Sequence, residues 1–131
     1  PIYNIFNFYT WNSFGWGQND CCFYYLQLDC EPSTTSLQIL KMIPFDSYKF
    51  AVITFEHDDY SDVNNYVKFE SRTFLESKGY VLVVPNVANN NYCPYEDWWV
   101  HKDYKASSLI MKILNDDSQV VNMEKFMFQH K

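Results

Sequence analysis

Three apolar runs of strand-forming residues punctuate the chain, and each stops at a polar turn. Phe23-Tyr24-Tyr25-Leu26-Gln27-Leu28 runs into Asp29-Cys30-Glu31-Pro32, and Phe50-Ala51-Val52-Ile53-Thr54-Phe55 runs into Glu56-His57-Asp58-Asp59. Tyr80-Val81-Leu82-Val83-Val84 gives way to a loop from Pro85 to Tyr95 that holds three consecutive Asn. Short runs rich in β-branched and aromatic residues, bounded by turn residues, predict strands; the first is nearly continuous in its apolar character and reads as buried. Trp98-Trp99-Val100-His101 predicts a fourth, shorter strand. Between the first two, Leu37, Leu40 and Ile43 recur at helical spacing, with Ser33 or Thr34 as the cap and Pro44 as the stop. A second helix is predicted up to Lys78, ended by Gly79, with Val63, Tyr66, Val67, Phe74 and Leu75 on one face and Glu70, Ser71 and Arg72 toward water. Ala106, Leu109, Ile110, Ile113 and Leu114 predict a third, amphipathic helix ending near Asn115-Asp116, and the tail to Lys131 leaves room for one more element.

The connections set the expected topology. Each of the first two gaps holds a helix long enough for a right-handed crossover between parallel strands, whereas the last gap does not, so the fourth strand should run antiparallel to the third. The expected fold is therefore α/β: a Rossmann-like sheet, mostly parallel with an antiparallel last strand and helices on its faces. Residues 1–22 are aromatic and Asn-rich and follow neither the strand nor the helix period, so they read as an irregular segment with at most one strand near residues 2–9. Gly15-Trp16-Gly17 has no clear strand before it and no room for a helix before Phe23, which excludes a phosphate-cradling turn. The domain proper is expected over residues 23–131.

With 131 residues, 47% of them hydrophobic and 20% aromatic, the chain can fill one core and has no reason to stay disordered. Its formal charge is -6 and Arg72 is its only arginine, so there is no basic stripe to follow a nucleic-acid backbone. Cys21, Cys22, Cys30 and Cys93 form no metal-binding spacing, and the vicinal pair reads as small buried apolar side chains in a reduced chain. No apolar run approaches the roughly twenty residues that span a bilayer, and no leader is legible, so a soluble, cytoplasmic chain without a membrane partner is expected. The start at Pro1 reads as a processed end or an internal piece of a longer protein.

Candidate chemistry lies at the two acidic strand ends, because ligands of open parallel sheets bind outside the carboxyl ends of the strands. If the first two strands are neighbours, Asp29 and Glu31 face Glu56 and His57 across a crevice, where carboxylates can take a substrate proton, orient a hydroxyl or hold a divalent cation. The bland alternative is that Glu31, Asp58 and Asp59 only solvate loop ends and favour the following helix N-termini. His57 sits beside carboxylates, which His101 and His130 do not, and can act as a proton acceptor near neutral pH or serve only structurally. Of Trp98 and Trp99, alternation sends one into the core and the other over a helix or to the rim of a pocket.

The ordered set Tyr25-Leu26-Gln27-Leu28-Asp29-Cys30-Glu31-Pro32, Ile43-Pro44-Phe45, Phe50 to Asp58, Phe74-Leu75-Glu76-Ser77-Lys78-Gly79-Tyr80 and Glu96-Asp97-Trp98-Trp99-Val100-His101 resembles FkbM-like S-adenosylmethionine-dependent methyltransferases. The resemblance runs from about Tyr25 to Asp103 and implies the class I methyltransferase fold, a seven-stranded sheet with the last strand antiparallel, of which this chain would be the C-terminal, substrate-side half. It implies S-adenosylmethionine as cofactor and a small-molecule or carbohydrate hydroxyl as acceptor. Asp29 and Glu31 would position the acceptor or the methionine end of the cofactor, and Glu56 and His57 would complete the acceptor side. Pro32 stands where the family has Gly, and the Gly-rich cofactor loop belongs to the half of the fold before Tyr25, so the resemblance implies a chain without most of the S-adenosylmethionine site and inactive without that upstream half. Two other readings are an inactive methyltransferase remnant or interaction module, and a divalent-metal hydrolase using Asp29 and Glu56.

Overall fold

The computed structural model describes residues 21–61, 65–89, 93–104 and 121–122. Strand β1 spans Cys21–Leu28 and pairs in parallel with β2, Tyr48–Glu56. Helix α1, Ser33–Met42, joins them, and helix α2, Tyr66–Ser77, leads from β2 to β3, Tyr80–Ala88. Strand β4, Pro94–His101, is antiparallel to both β2 and β3 and lies between them, and the two-residue β5, Val121–Asn122, adds in parallel to β3. The sheet order is β1-β2-β4-β3-β5. The architecture is thus α/β with a mixed sheet, as the connection lengths require: both helix-bearing gaps join parallel strands, and the short gap joins antiparallel ones. The N-terminal segment before residue 21 and the helix expected from Ala106 lie outside the described residues.

Period-two alternation places the core. Leu26 and Leu28 of β1, Ile53 and Phe55 of β2 and Trp99 of β4 meet Leu37 and Leu40 of α1 and Val67 and Leu75 of α2. Both described helices therefore cover one face of the sheet. The other face carries a smaller cluster of Val83, Val84, Val87 and Val100, with Val52 and Trp98 packed against it. So β1 is not buried on both sides as its apolar run implied: the exposed Tyr25 and Gln27 alternate with the buried Leu26 and Leu28. Trp99 enters the core and Trp98 stays half-buried on the opposite face, the division that alternation predicts.

Several local expectations are corrected. Pro32, not Ser33 or Thr34, precedes the first turn of α1, and no side chain caps that helix. Ser36 ties the helix to the end of β1 instead, its Oγ accepting from the Cys30 N–H at 2.8 Å. On α2, Tyr66 is exposed, whereas Ser71 is fully buried with its hydroxyl donating to the Lys68 carbonyl at 3.0 Å. Arg72 turns inward as well, drawn to the buried Asp97 carboxylate of β4. Gly79 ends α2 at φ 86°, and a Cβ there would lie 3.3 Å from the Lys102 side chain. Strand β3 does not stop at Pro85. The strand absorbs a residue that cannot donate to the ladder through register shifts between Leu82 and Ala88 and a left-handed Asn86, φ 56°.

Tyr80 shows how the ends of the sheet are tied together. Its hydroxyl accepts the buried Phe50 N–H at 3.0 Å while its ring meets Phe45 and His101 edge-on. Tyr80→Phe should leave that N–H unsatisfied and cost about 1–3 kcal/mol, read from the urea midpoint. A change within a few tenths of a kcal/mol would show that the bond is not needed.

Candidate acidic cleft

Alternation at the strand ends also decides which side chains share a site. Glu56 is the last residue of β2 and its register partner on β4 is Glu96. Asp29 follows the last residue of β1, where Leu28 pairs with Phe55, so it stands beside Glu56 on the next step of the ladder. The three carboxylates line a cavity of about 580 Å³ together with Gln27, Tyr60, Asn89, Cys93 and Tyr95. The cleft thus opens at the carboxyl ends of two adjacent parallel strands, on the face opposite the described helices.

Asp29 and Glu56 are brought together as the sequence reading anticipated, but Glu31 and His57 are not. Glu31 is exposed in the turn after β1 and does not line the cavity. His57, one residue past Glu56, points to the other side and is fully buried. There its Nδ1 accepts the Asp59 N–H at 3.2 Å and its Nε2 stands 3.5 Å from Asp97 Oδ1. Glu96 and Tyr95, on the far wall, are not legible as site residues in the sequence, because residues 85–95 read as loop and the fourth strand as starting only at Trp98; alternation carried back from Trp99 through Asp97 sets Glu96 on the opposite face.

Burial pushes the Glu56 carboxyl up to about 8, helped by hydrogen bonding to Asp29 and by the charges and contacts of Asp58 and Asp29. Glu96 is pushed up too, chiefly by burial, with the hydrogen bond from Trp98 Nε1 to its Oε1 opposing that shift. Like charges set side by side on neighbouring strands disfavour full ionisation, so the cluster keeps a proton near neutral pH. The consequence for stability has a definite sign. In the unfolded chain Glu56 ionises near 4.5, whereas the fold holds its proton to about 8. Its contribution is present in full below the lower value and is lost as pH rises to the upper one. The melting temperature should therefore fall between about pH 5 and pH 8, and Glu56→Gln should flatten that slope while retaining the fold. An unchanged slope in the variant would assign the pH dependence elsewhere.

Behind the cleft, the side chains next in sequence form a second polar group. Arg72 clamps the fully buried Asp97 with Nε to Oδ2 at 2.8 Å and a terminal nitrogen to Oδ1 at 2.9 Å, and the Asn86 N–H also donates to Oδ1 at 2.9 Å. Burial pushes the Asp97 carboxyl up, but His57 and Arg72 outweigh it and bring it down to about 2. At 3.5 Å the His57 contact is an electrostatic approach, not a made hydrogen bond, so the bidentate Arg72 clamp is the principal partner. This network holds the end of β4 against α2 and so fixes the backbone from which Glu96 reaches the cleft.

Among the described residues, no three His, Cys, Asp or Glu side chains gather closely enough to hold one metal ion. No helix among them is long and apolar enough to cross a membrane. Comparison with protein-family models, with curated proteins and with solved structures finds no match. The class this chain defines by its own geometry is an α/β domain with an acidic cleft at its parallel strand ends.

Proposed function

We propose that the cleft is the acceptor side of an S-adenosylmethionine-dependent O-methyltransferase domain that acts on a small-molecule or carbohydrate hydroxyl. The observation that carries the reading is the pair Asp29 and Glu56, side by side at the carboxyl ends of adjacent parallel strands and open to a cavity of small-molecule size. The antiparallel β4 beside parallel strands agrees with the sheet that the resemblance implies. Of the chain's three glycines only Gly79 is among the described residues, and it ends a helix, so those residues contain no Gly-rich cofactor turn. The chemistry assigned to them is accordingly acceptor binding and proton removal.

In that role Asp29 accepts a hydrogen bond from the acceptor and fixes its orientation, and ionised Glu56 takes the hydroxyl proton. A carboxyl held near 8 is well matched to this work, because a base with a pKa close to the working pH combines availability with driving force. In a longer form that carries the cofactor half, turnover should therefore climb with pH up to about 8. Glu56→Gln should lower turnover by roughly 10²–10⁴-fold with the fold intact. Asp29→Asn should lower it as well, whereas Glu31→Gln, exposed and outside the cavity, should leave it nearly unchanged. Calorimetric titration with S-adenosylhomocysteine of both this chain and a longer form that carries the cofactor half tests the cofactor. No heat of binding to a longer form that carries the cofactor half, or full activity of that form with Glu56→Gln, would overturn the reading.

A further inference from the structure

The end of β2 and the turn after it carry two residues of the cleft wall, Glu56 and Tyr60. Between them Asp58 stands in the left-handed region at φ 47°, which a residue with a side chain keeps only where its surroundings hold it there. Short-range ties do so. The His57 and Asp58 N–H groups both donate to the Tyr95 carbonyl, at 2.7 and 3.1 Å, and Ser61 donates its N–H and its hydroxyl to the Asp58 carbonyl at 2.8 and 2.9 Å. The next N–H, that of Asp59, has a side chain as its acceptor, the His57 Nδ1 at 3.2 Å. Lys68 of α2 meets the Asp59 carboxylate at 2.7 Å. His57 itself is wholly buried. An imidazole nitrogen that accepts a backbone N–H carries no proton, so the ring is neutral with its one proton on Nε2, the nitrogen that stands 3.5 Å from Asp97 Oδ1.

We propose that His57 is a positioning residue for the cleft: locked in the Nε2–H form, its imidazole holds the turn over residues 57–61 closed beside Glu56. The ring lies on the other side of the strand end from the cavity, so it acts only through the turn. What the turn supplies to Glu56 is shelter. Burial is the main cause that holds the Glu56 carboxyl up, with Asp29 and the negative charge of Asp58 adding to it. Without the Nδ1 acceptor, the Asp59 N–H has to find water instead, Asp58 is free to leave its left-handed conformation, and water reaches the end of β2. Any ring of the same size would fill the space; holding the turn needs an acceptor at one place on it. That Glu56 acts as the base rests on the methyltransferase reading, whereas its placement by His57 does not.

NMR of this chain with carboxyl-labelled glutamate and nitrogen-labelled histidine, followed through a pH titration, tests it. At neutral pH the His57 ring, assigned through its own backbone resonances, should show a protonated Nε2 and a bare Nδ1. The Glu56 carboxyl, identified by its loss in Glu56→Gln, should titrate at about 8. His57→Asn sets a carbonyl oxygen where Nδ1 stands and should keep that midpoint within about 0.3 of a pH unit. His57→Gln, whose amide replaces only Nε2, and His57→Phe, which replaces neither nitrogen, should lower it by about one pH unit or more toward the ordinary carboxyl range. A protonated Nδ1 in the unaltered protein, an ordinary Glu56 midpoint from the start, or one common midpoint in all three variants would each overturn the proposal. A lower melting temperature with the Glu56 midpoint unmoved is what packing alone would give. If the Gln and Phe variants fail to fold, the tautomer of the unaltered ring and the Asn variant still decide. The two readings fail separately. None of these signals needs the cofactor half, so absence of S-adenosylhomocysteine binding leaves the placement standing, and an unmoved midpoint sinks the placement alone.

Discussion

Arg72→Ala should destabilise the protein by about 3–5 kcal/mol, enough to leave a marginal domain largely unfolded at ambient temperature. The reason is the state of its partner. Asp97 has no exposed surface, and without Arg72 it retains one backbone N–H from Asn86 and a histidine nitrogen at 3.5 Å. A buried carboxylate so poorly matched either ionises at high cost or takes a proton and loses its clamp. Urea unfolding reads the difference, and a loss below about 1 kcal/mol would show that Asp97 is not desolvated as described. Replacing both partners with apolar residues, Arg72→Met with Asp97→Leu, should recover part of the loss, because the pair's removal leaves no charge stranded. The acid limb of the stability curve belongs to the same pair. Asp97 is held at about 2 in the fold against 3.8 in the unfolded chain. Its contribution is therefore present above the higher value and disappears as pH falls through the lower one. Asp97→Asn should remove that limb.

Trp99→Ala is the second large effect expected, again about 3–5 kcal/mol. Trp99 is fully buried and is the largest side chain in the main cluster, on a strand paired on both sides. Deleting the indole leaves a cavity between the sheet and its helices that rigid strands cannot close. Trp99→Phe separates volume from polarity. The indole Nε1 has no hydrogen-bond partner, so phenylalanine removes an unsatisfied donor while giving up part of the volume. It should cost clearly less than alanine; equal losses would mean that the indole N–H matters more than its bulk.

Much of the fold was legible because it rests on local signals. Four strands and two helices follow from apolar runs, helical spacing, Pro44 and Gly79, and the parallel or antiparallel sense of each pair follows from connection length. The misreadings also have physical causes. Pro85 reads as a strand end because it cannot donate to a ladder, yet bulges and the left-handed Asn86 carry β3 past it. Arg72 reads as a surface residue because its helix neighbours are polar, and only a carboxylate distant in sequence draws it inward. Ser71 reads as exposed for the same reason, but its hydroxyl is satisfied within its own helix.

The acidic strand ends divide along the same line. From sequence alone came the α/β class, the two parallel strands and the placement of Asp29 and Glu56 at their carboxyl ends, because strand propensity, turn residues and crossover length are properties of short stretches of chain. Tertiary structure alone brought Glu96 beside Glu56, set Tyr60 and Tyr95 around them, and turned His57 away into the group with Asp97 and Arg72. Those outcomes depend on which strand lies between which, since inserting β4 between β2 and β3 determines what each alternating side chain faces, and no local pattern encodes that order.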